Sequence, residues 1–121
     1  MEIIDAPIAG IKIIKCPIYK DDRGAFQESF NTKQWQASGL PSDFVQDNQS
    51  VSKKGVIRGL HYQRTPHAQG KLVRVSSGKA MDVMLDLRPD SPTFGRHFSI
   101  ELVQEYVGLV IRQTAQNNRF L

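Results

Sequence analysis

KLVRVSSGKAMDVMLDL, residues 71–87, is the stretch on which the fold turns. Two strand-like runs rich in Val, Leu and Met flank a short Ser and Gly segment. Neither run sustains a 3.6-residue apolar stripe, so the stretch predicts a β-hairpin. With Ser77 and Gly78 as the loop, Ser76 faces Lys79, Val73 faces Asp82 and Lys71 faces Met84, which sets Lys71 diagonal to Asp82 and Asp86. Met81, Val83, Leu85 and Leu87 fall on the opposite face. A face bearing Lys71, Asp82 and Asp86 is either solvent-exposed or the polar lining of a cavity, and the pattern alone favours solvent.

The flanking sequence keeps the same rhythm. Short apolar segments are punctuated by Gly, Pro, Asp or Ser, the signature of an all-β sandwich or barrel. Upstream, FVQDNQSVS and GVIRGLHYQ read as two strands around the turn at Lys53, Lys54 and Gly55, and AFQESF reads as a strand after the turn DDRG at 21–24. IKIIK at 11–15 reads as the first strand. One short helix is expected over TKQWQAS, capped by Asn31 and ended by Gly39 and Pro41. Downstream, RPDSPTFG at 88–95 is a loop, and HFSIELV alternates with Phe98, Ile100 and Leu102 on one face. EYVGLVIRQTAQNNRFL follows as one apolar run and a polar tail. No repeat, low-complexity segment or linker divides residues 1–121, which are read as a single domain.

Composition narrows the function classes. Apolar residues make up 40% of the chain and charged residues 23%, an ordinary globular balance. Sixteen Lys and Arg against twelve Asp and Glu give a formal charge of +4, but the basic residues are dispersed. Dispersed charge favours an anionic ligand only weakly and argues against nucleic acid, which calls for a dense basic stripe. The single Cys16 cannot form an internal disulfide and fits a reducing compartment. No apolar run reaches the length of a membrane span, so the expected location is the cytoplasm and no membrane partner is expected. A chain of this size gains burial by association, which makes an oligomer a natural state.

Reactive residue types concentrate between Gln46 and Lys71, where Asp47, Asn48, Arg58, His61, Gln63 and His67 also fall. An unperturbed histidine titrates near pH 6.5, which suits His61 to general-base work; a histidine hydrogen-bonded to backbone is the plainer reading of a lone one. Strict alternation sets His61 and Arg58 on opposite faces of their strand. A bulge at Gly59 would bring both to one cavity. Metal is not expected, because two histidines one residue apart are lacking: the equivalent stretch reads HYQ, and His67 lies in a loop.

Taken in order, DDRGAFQES, FVQDNQSVSKKGVIRGLHYQ, QGKLVRVSSGKAMDVMLDLR and SPTFG closely resemble the dTDP-4-dehydrorhamnose 3,5-epimerase family. The resemblance implies a cupin-type jelly roll, no metal or organic cofactor, a homodimer, and a dTDP-sugar as the small-molecule partner. By the same matching, His61 corresponds to the catalytic base and Lys71 to the residue stabilising the enolate oxygen, and either Asp82 or Asp86 on the same hairpin face could orient its ammonium. Arg23 and Arg58 correspond to diphosphate or sugar ligands, Phe26 and Glu28 to nucleoside contacts, and Gln46, Asp47 and Asn48 to hydrogen-bonding partners of the ligand.

The resemblance covers residues 1–102 and leaves 103–121 as a non-matching tail in which Tyr106 is not in the context of the family's proton donor. The expectation is a truncated or frame-shifted product with an incomplete jelly roll, open strand edges and slow proton return, hence weak epimerase activity. A dTDP-sugar-binding remnant and a sibling epimerase of different regiochemistry are the alternatives, with a nucleic-acid-binding barrel a distant third.

Overall fold

The computed structural model describes residues 1–110 and 114–120. Among them run β1 (Glu2–Asp5), β2 (Ile11–Lys15), β3 (Tyr19–Asp21), β4 (Gly24–Phe26), α1 (Thr32–Ala37), β5 (Ile57–His61) and β6 (Lys71–Arg74). β7 (Ala80–Asp86), β8 (His97–Leu102), β9 (Tyr106–Val110) and β10 (Thr114–Phe120) follow. Two four-stranded antiparallel sheets form, in the orders β1-β2-β9-β6 and β5-β10-β7-β8, with β3 and β4 as a separate ribbon. The all-β class, with its strands in two sheets and one short helix, is the one the sequence predicts.

The sheets face each other through Ile8, Ile11 of β2 and Met84 of β7, all buried and packed against Phe98 and Ile100 of β8. The outer face of the first sheet is covered by α1 and the segment after it, where Ile14, Cys16, Trp35 and Leu40 form a second buried cluster. The helix exists for the local reasons expected. Asn31 has extended backbone and its side chain accepts from the Gln34 amide at 3.1 Å, while Gly39 leaves the helix at φ +71°. Its function is to seat Trp35, 1% exposed, under an edge-on cage of Phe30 and Phe44.

IKIIK is the second strand and not the first, since β1 precedes it, and four further sequence expectations are corrected. Residues 71–87 are not a hairpin: β6 pairs with β9 in one sheet and β7 with β10 and β8 in the other. The five residues 75–79 form a bend that carries the chain between sheets, pinned where Gln104 Nε2 donates to the Ser76 carbonyl at 2.7 Å. The crossing lets Leu72 pack against the helix-covered cluster while β7 packs inward, a division of faces that a flat hairpin does not provide.

Second, the face of Asp82 and Asp86 is not solvent-exposed. Along β7 the residues Ala80, Asp82, Met84 and Asp86 are buried and Met81, Val83 and Leu85 only partly so. Third, FVQDNQSVS is not a strand. Val45 and Val51 are almost fully exposed, and the polar run bonds locally, with Gln46 Nε2 donating to Asn48 Oδ1 at 3.2 Å. The segment after Leu102, read as a tail, instead supplies β9 and β10, the inner strands that join β2 to β6 and β5 to β7. Leu121 and residues 111–113 of that tail lie outside the described residues.

Candidate active site

The site begins with an irregularity in β5. Arg58 pairs with Asn118 and His61 with Gln116, so β5 advances three residues where β10 advances two. The extra residue is a β-bulge, and Gly59, at φ +122°, occupies backbone space that L-residues rarely enter. The bulge reverses the alternation, and Arg58 and His61 fall on one face, as a bulged strand predicts.

That face points inward. The β10 positions opposite Arg58 and His61 pair on their other side with Asp82 and Met84, so Arg58 shares a row with Asp82, and His61 with Met84. Met84 belongs to the core cluster between the sheets together with Ile11. In the facing sheet Ile11 and Lys71 both pair with Val110, which sets Lys71, half-buried, on the same inner face as Ile11. Imidazole, guanidinium, carboxylate and ammonium thus sit on the two inner faces, each tied by register to the Ile11 and Met84 contact. Asp82 has no exposed surface, whereas Arg58 and His61 sit on the exposed edge strand, at the rim of the space between sheets. Arg58 is steadied there by its Nε donating to Ser52 Oγ at 3.0 Å.

Asp86 has a different employment from the one expected. Its carboxylate accepts from Arg88 Nε at 2.9 Å and Arg88 Nη2 at 2.8 Å, and from the hydroxyls of Ser91 at 2.6 Å and Thr93 at 2.7 Å. The Arg88 guanidinium and these hydroxyls hold the Asp86 carboxyl well below the usual carboxylate range, outweighing burial. Asp86 therefore ties the 88–95 loop to β7. The knot of Asp86, Arg88, Ser91 and Thr93 was missed in the sequence, where only its pattern of an aspartate followed by arginine and two hydroxyls could have signalled it.

The other candidates lie apart. Arg23 sits in the turn of the β3 and β4 ribbon, its side chain exposed, bonded through its amide, Nε and Nη2 to Asp21, whose pKa this bonding lowers. Phe26, 68% exposed, ends the same ribbon and walls a cleft with Tyr19, Asp21 and Arg23. On another side Phe26 borders a cavity of about 180 Å³ with Ser29, Arg74, Ser76 and Gln104. Gln27 braces that cavity by donating to the carbonyls of Cys16 and Gln104 at 3.0 and 2.9 Å. Glu28 is exposed and accepts from Asn31 Nδ2 at 3.3 Å. Gln46, Asp47 and Asn48 are exposed on the strandless segment before β5. The ribbon belongs to neither four-stranded sheet, so Arg23 and Phe26 form one group and Arg58, His61, Lys71 and Asp82 another.

Residues 5–112 match the family model described as dTDP-4-dehydrorhamnose 3,5-epimerase. The chain is 48% identical over 106 residues to the dTDP-4-dehydrorhamnose 3,5-epimerase of Shigella flexneri, covering 87% of this chain and 59% of that protein. The chain thus spans somewhat more than half the length of this and several other curated relatives it matches, and less than half of others. It is also similar to the crystal structure of dTDP-4-dehydrorhamnose 3,5-epimerase from Bacillus anthracis with TDP and PPi bound. There the TM-score is 0.93 at 38% identity, over 99% of this chain and 70% of that one. A dTDP-6-deoxy-D-glucose-3,5-epimerase from Legionella pneumophila in complex with dTDP-4-keto-L-rhamnose gives 0.91 at 41% identity, over 99% and 65%.

Proposed function

Because the chain belongs to the dTDP-4-dehydrorhamnose 3,5-epimerase family, we propose that it acts on dTDP-4-keto-6-deoxyglucose, inverting C3 and C5 on the way to dTDP-rhamnose. The observation that carries this reading is the bulge in β5, which turns Arg58 and His61 to one inner face opposite the half-buried Lys71.

Hydrogens at C3 and C5 are acidic because both carbons flank the C4 ketone. His61, uncharged, takes one of these protons, and the electron pair moves onto the C4 oxygen. Lys71 stabilises that developing oxyanion, its ammonium oriented by Asp82. Arg58 and Arg23 bind diphosphate oxygens or sugar, Phe26 and Glu28 contact the nucleoside, and Gln46, Asp47 and Asn48 hydrogen-bond to the ligand. Inversion is completed when a proton that originates in solvent is delivered to the opposite face of the sugar.

That asymmetry shapes the test. In deuterium oxide, a base that returns a deuteron to the same face exchanges C3 and C5 hydrogens without inversion. NMR of the keto sugar is expected to record His61-dependent deuterium uptake at both carbons, running ahead of net epimerisation. Binding of dTDP with no His61-dependent uptake overturns the proposal and leaves a nucleotide-sugar-binding protein. Uptake at one carbon alone identifies the sibling regiochemistry. A cytoplasmic homodimer completes the reading, supported by the exposed apolar side chains Val45, Val51 and Ile57 around the edge strand and by the single cysteine. No helix among the described residues is long and apolar enough to cross a membrane.

A further inference from the structure

We infer that Gly59 is a positioning residue whose positive φ stores the extra residue of β5 and thereby keeps His61, rather than Leu60, on the inner face. The inference rests on the functional reading above, in which His61 is the base and Arg58 a ligand-binding side chain.

The two flanks of the bulge are unequal. Among the described residues, two pairs hold the register on its N-terminal side, Ile57 with Arg119 and Arg58 with Asn118, and one on its C-terminal side, His61 with Gln116, at the strand's last residue. An L-residue at position 59 is strained at φ +122° and relieves the strain by restoring regular alternation. The flank with one terminal pair gives way. Leu60 then takes the place opposite Gln116, His61 turns to the outer face, and Arg58 stays where it is. Gly59→Ala therefore separates ligand binding from proton transfer, although residue 59 itself need touch no ligand.

Calorimetric titration with dTDP, imidazole NMR and deuterium uptake test this together, with His61→Asn identifying the His61 resonances among those of the three histidines. In the wild type, dTDP is expected to shift the His61 resonances. In Gly59→Ala, dTDP affinity stays within about threefold, the His61 resonances no longer respond, and deuterium uptake falls by about 10²- to 10⁴-fold, the share a general base supplies. Adding His61→Ala to Gly59→Ala lowers uptake no further, since both act through one imidazole. Semisynthesis with D-alanine at the same position adds the same methyl group yet accepts positive φ, and is expected to restore both uptake and the His61 response. It also decides the matter if Gly59→Ala fails to fold. Wild-type behaviour in Gly59→Ala, or a D-alanine protein as impaired as the L-alanine one, overturns the inference alone. A wild type that neither binds dTDP nor exchanges overturns the functional reading and this inference with it.

Discussion

Asp86 has no exposed surface and yet is held as a carboxylate by Arg88, Ser91 and Thr93. Its folded pKa lies below the unfolded value, near 3.9, so its stabilisation is complete above about pH 5 and drains away as pH falls toward the depressed folded value. Asp86→Asn is expected to cost about 2 to 4 kcal/mol at pH 7, somewhat under the range for a fully buried pair because Arg88 is partly open. Urea unfolding followed through Trp35 at pH 7 and pH 3 checks both statements: the variant loses stability at neutral pH and shows a shallower decline in acid. For the chemistry, Lys71→Met is expected to slow deuterium uptake by about 10²- to 10³-fold, the usual loss of one oxyanion-stabilising donor, while calorimetry finds dTDP binding little changed. Single residues were the most legible scale for reactive types and the least for their employment. His61, Lys71, Arg58 and Asp82 reach the inner faces, but Asp86 could not be told from Asp82 by alternation, because what separates them is a loop that folds back on one and not the other.

Elements built from local chemistry were read correctly. The helix needed only Asn31, Gly39 and a few intervening residues, and it lies where those signals put it. Asn31→Ala is expected to cost about 1 kcal/mol, the usual worth of an N-cap, and to lower the melting temperature by about 3 to 6 °C in a chain of this size; Trp35 fluorescence on heating reports it. The Gly59 bulge was legible for the same reason, since one backbone position decides it. The hairpin over residues 71–87 failed because nothing inside those residues reveals that β9, more than thirty residues onward from β6, offers the better partner. FVQDNQSVS failed in the opposite sense: among the described residues it pairs with no strand, and Gln46 bonds locally to Asn48.

For the molecule as a whole, β5 is an edge strand with every residue exposed, and Ile57 on it and Val45 and Val51 before it lie open to solvent. An apolar edge of this kind recruits another strand or surface. Light scattering is expected to find a species of twice the 13.6 kDa chain mass, and Ile57→Lys to shift it toward the single chain. Fold class was readable because turn spacing and alternation repeat along the whole sequence; strand order was not, because it depends on which distant segments meet. The positions of β9 and β10 carry a consequence for how the protein is made. They come latest among the described strands, yet each sits inside its sheet, between partners synthesised long before. On a ribosome adding ~5–20 residues per second, β2 and β6, and likewise β5 and β7, emerge with a vacant lane between them and wait for it to be filled. Pairing of the two sheets is therefore held back until β9 and β10 have emerged, and until then the nascent chain presents unfilled sheet edges to whatever chaperone attends it.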